Sequence, residues 1–477
     1  MRDLSQKMRD ELNISAQMRI NLISGMIIAG LGYHDGEGNC IVAPLDSTEL
    51  KGEIGQQSND GTVIYNKIAS VLAERKLPDQ KRQTILSILQ AAFYNEQYYK
   101  PHHGESPLKV VYTYVQENIM KFFGTKYHLD FTGRLFNVMN SWAHDPNDPN
   151  NDVVLTPRYI TEFMAKLCRV DKDSYVWDFA AGSAGFLVSA MKLMIEDVRN
   201  SIYSPETQER MILSLKLNQL LGIEILPDVY MLAVLNMILM GDGSSNIING
   251  DSLKFDGNYK QGDQKDKPFP ANVFLLNPPY SAPGKGFVFV KEALSKMDHG
   301  RAAILIQENA GSGNGLPYTA DILKHSTLRT SIHLADIFCG KAGVQTAIYV
   351  FDVGTPHNVK QKVRFIDFSE DGYTRQNRKK SSLNVNLRDT GNAKARYEEV
   401  LSLALYGSCD FKYLPKDRFV EDTISLDGKD WTFNQHRKID TRAKLEDFQK
   451  VVKEYLAWKV STIINEEDCL GKTQARA

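Results

Sequence analysis

Between residues 156 and 366 short apolar runs alternate with longer helical stretches, and the early runs each stop at a small or polar residue. The runs are Tyr175–Phe179, Leu221–Ile225, Asn246–Asn249, Val273–Leu276 and Ala302–Ile306, followed by Ile332–Ile337, Thr346–Phe351 and Val363–Ile366. A run with no in–out alternation belongs to a strand buried on both faces, and parallel strands need helical crossovers to join them. The pattern therefore predicts an α/β fold: a mostly parallel sheet with helices on both faces. Ligands of open α/β sheets bind beyond the carboxyl ends of the strands. The residues that stop each run are thus the ones to read for chemistry.

The flanks have another texture. Helical spacing runs through residues 1–140: Ile64, Ile68, Val71 and Leu72, then Ile85, Ile88, Leu89 and Ala92, then Leu135, Val138 and Met139. Glycines at 30–38 and 52–61 interrupt it, and the turn-forming stretch Ala143–Asp152 marks a boundary. Thr156-Pro157 opens the next helix, with threonine as cap and proline in the first turn. Residues 257–270 read as a polar loop, and 370–396 as a polar, locally basic one (Arg375, Arg378, Lys379, Lys380, Arg388, Lys394, Arg396). A helix near 442–464, striped by Leu445, Phe448, Val452, Tyr455, Leu456 and Trp458, closes the chain. The expected division is a helical N-terminal domain (1–150), the α/β domain (151–400) and a C-terminal extension (401–477). A chain of 477 residues is long enough for several cores.

The net charge of −1 gives no whole-chain sign of a nucleic-acid binder, so any basic face is local or supplied by a partner. The five cysteines (40, 168, 339, 409, 469) form no CxxC pair, which argues for a reducing compartment and against a zinc site. His102-His103 lacks ligands at metal spacing and reads as a surface turn; no metal is expected. The polar N-terminus is no signal peptide, and the apolar stretch Ile20–Leu31 is shorter than the roughly 20 residues a bilayer span needs. The expected location is the cytoplasm.

Four strand ends carry the chemistry. The first runs into Asp178-Phe-Ala-Ala-Gly182-Ser183-Ala184-Gly185, a turn of small residues opening a helix, where backbone can approach a ligand. It lacks the full G-x-G-x-x-G and any phosphate-loop lysine. The carboxylate of Asp178 would disfavour a pyrophosphate and suit an ammonium or sulfonium. The second strand ends in Gly222-Ile-Glu224, an acid placed to take a ribose diol. The third ends in Asn249-Gly250-Asp251-Ser252, where Asp251 can accept from an adenine amine; Asp after Gly also suits any turn. The fourth ends in Asn277-Pro278-Pro279-Tyr280: an amide, two residues without backbone donors, and an aromatic ring. That set can hold an –NH₂ group and stack on a flat ring.

Taken together, Leu155-Thr156-Pro157, the loop 178–187, Gly222–Glu224, Gly250–Leu253, Asn277–Tyr280 and the late strand Thr346–Phe351 resemble the modification (methylation) subunit of type I restriction–modification systems. That family comprises adenine-N6 DNA methyltransferases. The resemblance implies a Rossmann-like class I methyltransferase sheet, preceded by an α-helical N-terminal domain and followed by a C-terminal helix. It implies S-adenosyl-L-methionine as cofactor. Thr156, Pro157, Asp178, Ala180, Gly182, Ser183 and Gly185 would hold its methionine part, Glu224 its ribose, and Asp251 with Ser252 its adenine. Asn277 and the Pro278 carbonyl would accept from the target amine, and Tyr280 would stack on a flipped base. It further implies double-stranded DNA and a specificity subunit as partners, two modification subunits per complex, a restriction subunit as a further associate, and docking by the closing helix. The sequence departs from the family at Ala184, where glycine is usual, and at Phe179, where proline is common.

Three other readings stay open. Asn-Pro-Pro-Tyr also serves enzymes that methylate a protein glutamine or an RNA guanine. A catalytically idle scaffold that binds DNA or partners, and a self-sufficient methyltransferase, are further alternatives. Methylation at cytosine C5 is excluded because the chain has no Pro-Cys nucleophile.

Overall fold

The computed structural model describes residues 2–34, 39–52, 58–75, 77, 79–101, 104–123, 156–240, 246–260, 263–338, 344–376, 386–438 and 445–474. The helical spacing at 135–139, the boundary at 143–152, His102-His103, Leu155 and the basic residues 378–380 lie outside them. Residues 1–436 form one compact unit and 437–477 a second.

The first unit is built on a nine-stranded sheet: β1 (Val176–Asp178), β2 (Leu220–Glu224), β3 (Asn246–Asn249), β4 (Val273–Leu276), β5 (Gly300–Gln307), β6 (Ser326–Leu334), β7 (Thr346–Val353), β8 (Lys362–Phe368) and β9 (Phe419–Thr423). Their order across the sheet is β9-β8-β6-β7-β5-β4-β1-β2-β3. Five neighbours, β5-β4-β1-β2-β3, are parallel; β7 lies antiparallel between β5 and β6, and β9 antiparallel beside β8. Every residue of β1, β2 and β4 is buried, as the unalternated runs require. The chain leaves β1 toward β2 and β3, then returns to β4 on the other side. Strand order reverses between β1 and β4, which opens a crevice at their carboxyl ends.

Before the sheet come helices α1 (Arg2–Asp10), α2 (Ala16–Leu31), α3 (Asp60–Glu74), α4 (Asp79–Phe93) and α5 (Pro107–Asn118). Around and after the early strands come α6 (Arg158–Leu167), α7 (Gly185–Ser201), α8 (Pro205–Asn218), α9 (Pro227–Leu239) and α10 (Phe287–Leu294). α2 is capped by Ser15, whose hydroxyl accepts from the Met18 N–H at 3.3 Å, and it is buried nearly all round. It packs on α3, α4, α5 and also on α9, so one apolar core runs from the N-terminal helices into the sheet layer. Among the described residues no helix, the 16-residue α2 included, is both long and apolar enough to cross a membrane.

Several elements differ from the sequence expectation. The run expected at Ile332–Ile337 is the end of a longer strand, β6, whose Thr327, Thr330 and Ser331 are buried and bonded to backbone carbonyls. Its hydroxyl residues hid it from an apolar count. β9 was not anticipated either: it is an edge strand with exposed Glu421, Asp422 and Thr423, the charged edge that discourages further pairing. In the segment expected as a polar loop, Tyr373–Gln376 and Asn386–Asp389 pair as an antiparallel ribbon. Arg375 there turns inward. It bonds both carboxylate oxygens of the buried Asp371 and donates to the Tyr159 hydroxyl at 3.1 Å. The loop at 257–270 is anchored by the buried Tyr259 and Phe269, with the Tyr259 hydroxyl donating to the Asn218 carbonyl at 2.7 Å.

The second unit is a single long helix, Leu445–Gln474 (at 442–464 in the sequence expectation), with Phe448, Val451, Tyr455, Leu456 and Trp458 exposed. In the first unit, the Arg375→Ala variant strands a carboxylate whose side chain is only 2% exposed. It is expected to cost about 3–5 kcal/mol, read from the urea midpoint, while an Asp371→Leu/Arg375→Met double variant regains most of the loss.

Candidate active site at the carboxyl edge of the sheet

The crevice between β1 and β4 holds a cavity of about 320 Å³ lined by four strand ends and the loops that follow them. β1 contributes Phe179, Ala180 and Gly182; β2 contributes Ile223 to Leu226; the stretch after β3 contributes Gly250, Asp251 and Ser252; and β4 contributes Asn277 through Ser281, with Phe289 from α10. Eight of the residues singled out from sequence therefore meet around one space: Ala180, Gly182, Glu224, Asp251, Ser252, Asn277, Pro278 and Tyr280.

Glu224 organises the wall between β1 and β2. One carboxylate oxygen accepts from the Gly182 N–H at 2.9 Å and the other from the Leu226 N–H at 2.9 Å, which ties the β1 loop to the tip of β2. Burial pushes its carboxyl up to about 7, against the pull of those N–H groups. Each oxygen keeps a further lone pair, so the pair of oxygens can still take two hydroxyls. Gly182 has φ +55°, the left-handed region that favours glycine. Asp251 accepts from the Leu253 N–H at 3.0 Å, with Lys254 Nζ 3.3 Å from its second oxygen. Ile223, Ile225, Leu226, Phe179 and Phe289 make the apolar surface between these polar groups.

On the β4 side, Asn277 Nδ2 donates to Thr156 Oγ1 at 3.0 Å. In this orientation the amide nitrogen faces threonine and the oxygen points the other way as an acceptor. Thr156 is thus not the helix cap the sequence suggested; Pro157 occupies that position and no side chain caps α6. Tyr280 lies in the cavity wall, its hydroxyl buried without a hydrogen-bond partner among the described residues. Burial raises its pKa, so the phenol stays neutral. Gly286, at φ +103°, lies directly beneath this loop: a Cβ there would come within 2.4 Å of Pro278 Cγ.

Asp178, Ser183 and Gly185 stand one layer back. Asp178 is fully buried and accepts from the Ala180 N–H at 3.1 Å; burial raises its carboxyl to about 8, the Ala180 N–H opposing and the Glu224 charge adding to the rise. The Ser183 carbonyl accepts from Asn236 Nδ2 at 2.8 Å, and Gly185 begins α7. Ala184 adopts φ +62°, a conformation that favours glycine, but its methyl packs in the core beneath α7 rather than lining the cavity. Phe179 packs edge-on to Phe255 and Phe274. Sequence reasoning missed Ile225, Leu226, Ser281 and Phe289; the exposed apolar pair after Glu224 was the available signal for a flat ligand.

Several known proteins are similar to this chain. Residues 137–285 match the family of N-6 DNA methylases. The chain is 29% identical over 372 residues to the type II restriction enzyme and methyltransferase RM.BcgI of Heyndrickxia coagulans, covering 76% of this chain and 54% of that protein. It is 28% identical over 226 residues to the type I restriction enzyme EcoKI methylase subunit of Escherichia coli K12, covering 43% of this chain and 41% of that protein. The chain thus spans about half the length of the curated relatives it matches. Among solved structures, a chain from a type I R-M system aligns with TM-score 0.55 at 14% identity, over 96% of this chain and 94% of that one. A type I restriction-modification methyltransferase subunit from Streptococcus thermophilus aligns with TM-score 0.52 at 16% identity, over 92% and 96%. The fold is the class I methyltransferase fold, with its sheet and helices as expected from the sequence.

The close approach at Gly286 gives a direct check. Gly286→Ala should cost at least about 2 kcal/mol in urea unfolding, because a side chain there meets both an unfavourable φ and the rigid proline ring.

Proposed function

We propose that this chain transfers a methyl group from S-adenosylmethionine to the N6 amine of an adenine flipped out of double-stranded DNA, as the modification subunit of a type I restriction–modification complex. The observation that carries the proposal is the meeting of Asn277, Pro278 and Tyr280 with Glu224 and Asp251 around one cavity. The match of residues 137–285 to N-6 DNA methylases supports the choice of adenine in DNA over protein glutamine or RNA guanine.

The cavity suits the cofactor. Its volume is at the small end of the usual ligand range, its middle is apolar, and acids stand at both places where the ligand offers donors. Glu224 would take the ribose hydroxyls and Asp251 with Ser252 the adenine edge. Ala180 and Gly182 would lie along the methionine part, with Asp178 beneath them supplying negative charge. Thr156, Pro157, Ser183 and Gly185 would hold this wall in place. When bound, the cofactor supplies an electrophilic methyl on a positively charged sulfur.

The chain's own part is to present the amine. An N6 group inside a duplex is out of reach, so the base must leave the stack at a cost of a few kcal/mol. Stacking against Tyr280 returns part of it, at about 1–3 kcal/mol. The Asn277 amide oxygen, held outward by Thr156, and the Pro278 carbonyl accept the two N6 hydrogens. Two acceptors draw the nitrogen toward tetrahedral geometry and expose its lone pair to the methyl. Neither a strong base nor a covalent nucleophile is needed.

The partners belong to the same proposal: double-stranded DNA, a separate specificity subunit docked on the C-terminal helix, two modification subunits per complex, a restriction subunit in the larger assembly, and a cytoplasmic setting. So does the division of labour among residues 1–150, 151–400 and 401–477. The deciding experiment gives purified protein labelled cofactor with adenine-containing duplex, a glutamine peptide or RNA, with and without the specificity subunit. Transfer to adenine that requires the subunit is expected; transfer to peptide or RNA alone overturns the reading.

Asn277→Ala should lower the methylation rate by about two orders of magnitude or more while leaving cofactor-induced thermal stabilisation in place. Tyr280→Ala should also fail, whereas Tyr280→Phe should retain activity, because the buried hydroxyl makes no bond that the reaction uses. Both Asp178 and Glu224 have raised carboxyl pKa values, about 8 and about 7. Without ligand, their contribution to stability is complete below about pH 4 and is lost as pH rises through 7 and 8. A cationic ligand favours their ionised forms. Cofactor affinity should therefore rise about tenfold from pH 6 to pH 8, by calorimetry, and Glu224→Gln should flatten that rise.

A further inference from the structure

Asn277 is oriented by Thr156, and Thr156 stands just ahead of a helix that no side chain caps. The Pro157 carbonyl closes the first turn of α6, accepting from the N–H groups of Ile160 at 2.9 Å and Thr161 at 3.1 Å. An uncapped first turn frays readily, and fraying here would carry Thr156 away from the amide.

A hold of another kind acts on this turn. Tyr159 is gripped by the ribbon Tyr373–Gln376 and Asn386–Asp389 and by the helix that follows it, Ala393–Tyr406. Its hydroxyl accepts from Arg375 Nη2 at 3.1 Å. Its ring lies 4.9 Å from that of Tyr373 and, edge-on, 5.7 Å from that of Tyr397. Arg375 is itself fixed: both Nη atoms bond the Asp371 carboxylate. That carboxylate also accepts from the Tyr373 N–H at 3.0 Å and the Tyr397 hydroxyl at 3.1 Å. The side chains of Arg375 and Asp371 are only 11% and 2% exposed. A buried ion pair is weak evidence for stability, since apolar residues of the same volume often serve as well. What this one supplies is direction: a planar guanidinium held by two bonds aims its remaining Nη2 hydrogen at one place, the Tyr159 hydroxyl.

We infer that Tyr159 is a positioning residue for Asn277. The Asp371–Arg375 pair holds Tyr159, Tyr159 holds the uncapped turn, and the turn sets Thr156 against the amide. The link bridges 216 residues of sequence, and Tyr159 itself does not line the cavity. The chemical consequence rests on the methyltransferase reading; the mechanical one rests on the geometry alone. A loosened turn frees the Asn277 amide to rotate and present its –NH₂, a donor, where the target amine needs an acceptor. The loss therefore falls on turnover rather than on cofactor binding.

The test measures methyl transfer to adenine-containing duplex with the specificity subunit present, together with backbone hydrogen exchange. Tyr159→Phe keeps the ring and removes the accepting oxygen. Its kcat should fall about tenfold with KM for the cofactor held within twofold. Exchange at the Ile160 and Thr161 N–H groups should quicken about tenfold. Tyr112→Phe is the matched control: it strips a buried hydroxyl bonded to the Leu45 carbonyl among the N-terminal helices, and should change none of these. The Thr156→Val/Tyr159→Phe double variant should turn over no more slowly than Thr156→Val alone, because both changes break one linkage. Losses that multiply in the double variant overturn the inference, as does an unchanged kcat in Tyr159→Phe or an equal fall in Tyr112→Phe. Unchanged exchange at Ile160 and Thr161 in Tyr159→Phe overturns the hold itself. If the unaltered chain methylates no adenine, the methyltransferase reading fails, and the exchange measurement still decides the hold.

Discussion

The site depends on a reversal of strand order. β1 sits between β2 and β4, and the chain departs from it in one direction before returning in the other. Loops from successive strands would otherwise cover one another; at this point they diverge and leave a crevice. The two segments that the proposed reaction would bring together, the small-residue loop after β1 and Asn277-Pro-Pro-Tyr after β4, are neighbours because their strands pair directly. Residues nearly a hundred apart in sequence are thereby fixed by backbone hydrogen bonds rather than by side-chain contacts, which keeps the geometry stiff.

On that frame, the side chains divide into those that hold and those that act. Thr156 and Gly286 serve Asn277 and Pro278 from opposite sides, one by a hydrogen bond and one by leaving room. Glu224 does both: its carboxylate clamps two loop N–H groups and retains capacity for a ligand. Such a residue couples loop order to ligand binding, since any group that competes for its oxygens also loosens Gly182.

Much of this was legible in the sequence, for physical reasons that differ by element. β1, β2, β4 and β5 are short and apolar, and the strand ends carry residue types that chemistry restricts, so Asn277, Tyr280, Glu224 and Asp251 could be assigned to one edge from spacing alone. β6 was misplaced because its Ser and Thr side chains satisfy themselves on nearby carbonyls, which a hydropathy pattern cannot register. Arg375 looked like one member of a basic, solvated stretch; only the fold brings Asp371, Tyr159 and Tyr397 around it. Ile225 passed as the end of a strand, whereas it and Leu226 are exposed beside Glu224 and line the cavity. Sequence patterns report burial well, and they report partnership between distant polar residues poorly.

The contact between α2 and α9 carries a consequence for how the protein can be handled and how it folds. Eleven consecutive residues of α9, Val229 to Leu239, are buried, sheet on one side and N-terminal helices on the other. A helix with no polar face has nowhere to turn if one cover is withdrawn. Cutting the chain after residue 123 would present a strip of methionine, leucine and valine to water, a surface that self-associates. The sheet is therefore not an independent module onto which a helical accessory was added: α9 needs the N-terminal helices as much as it needs the strands.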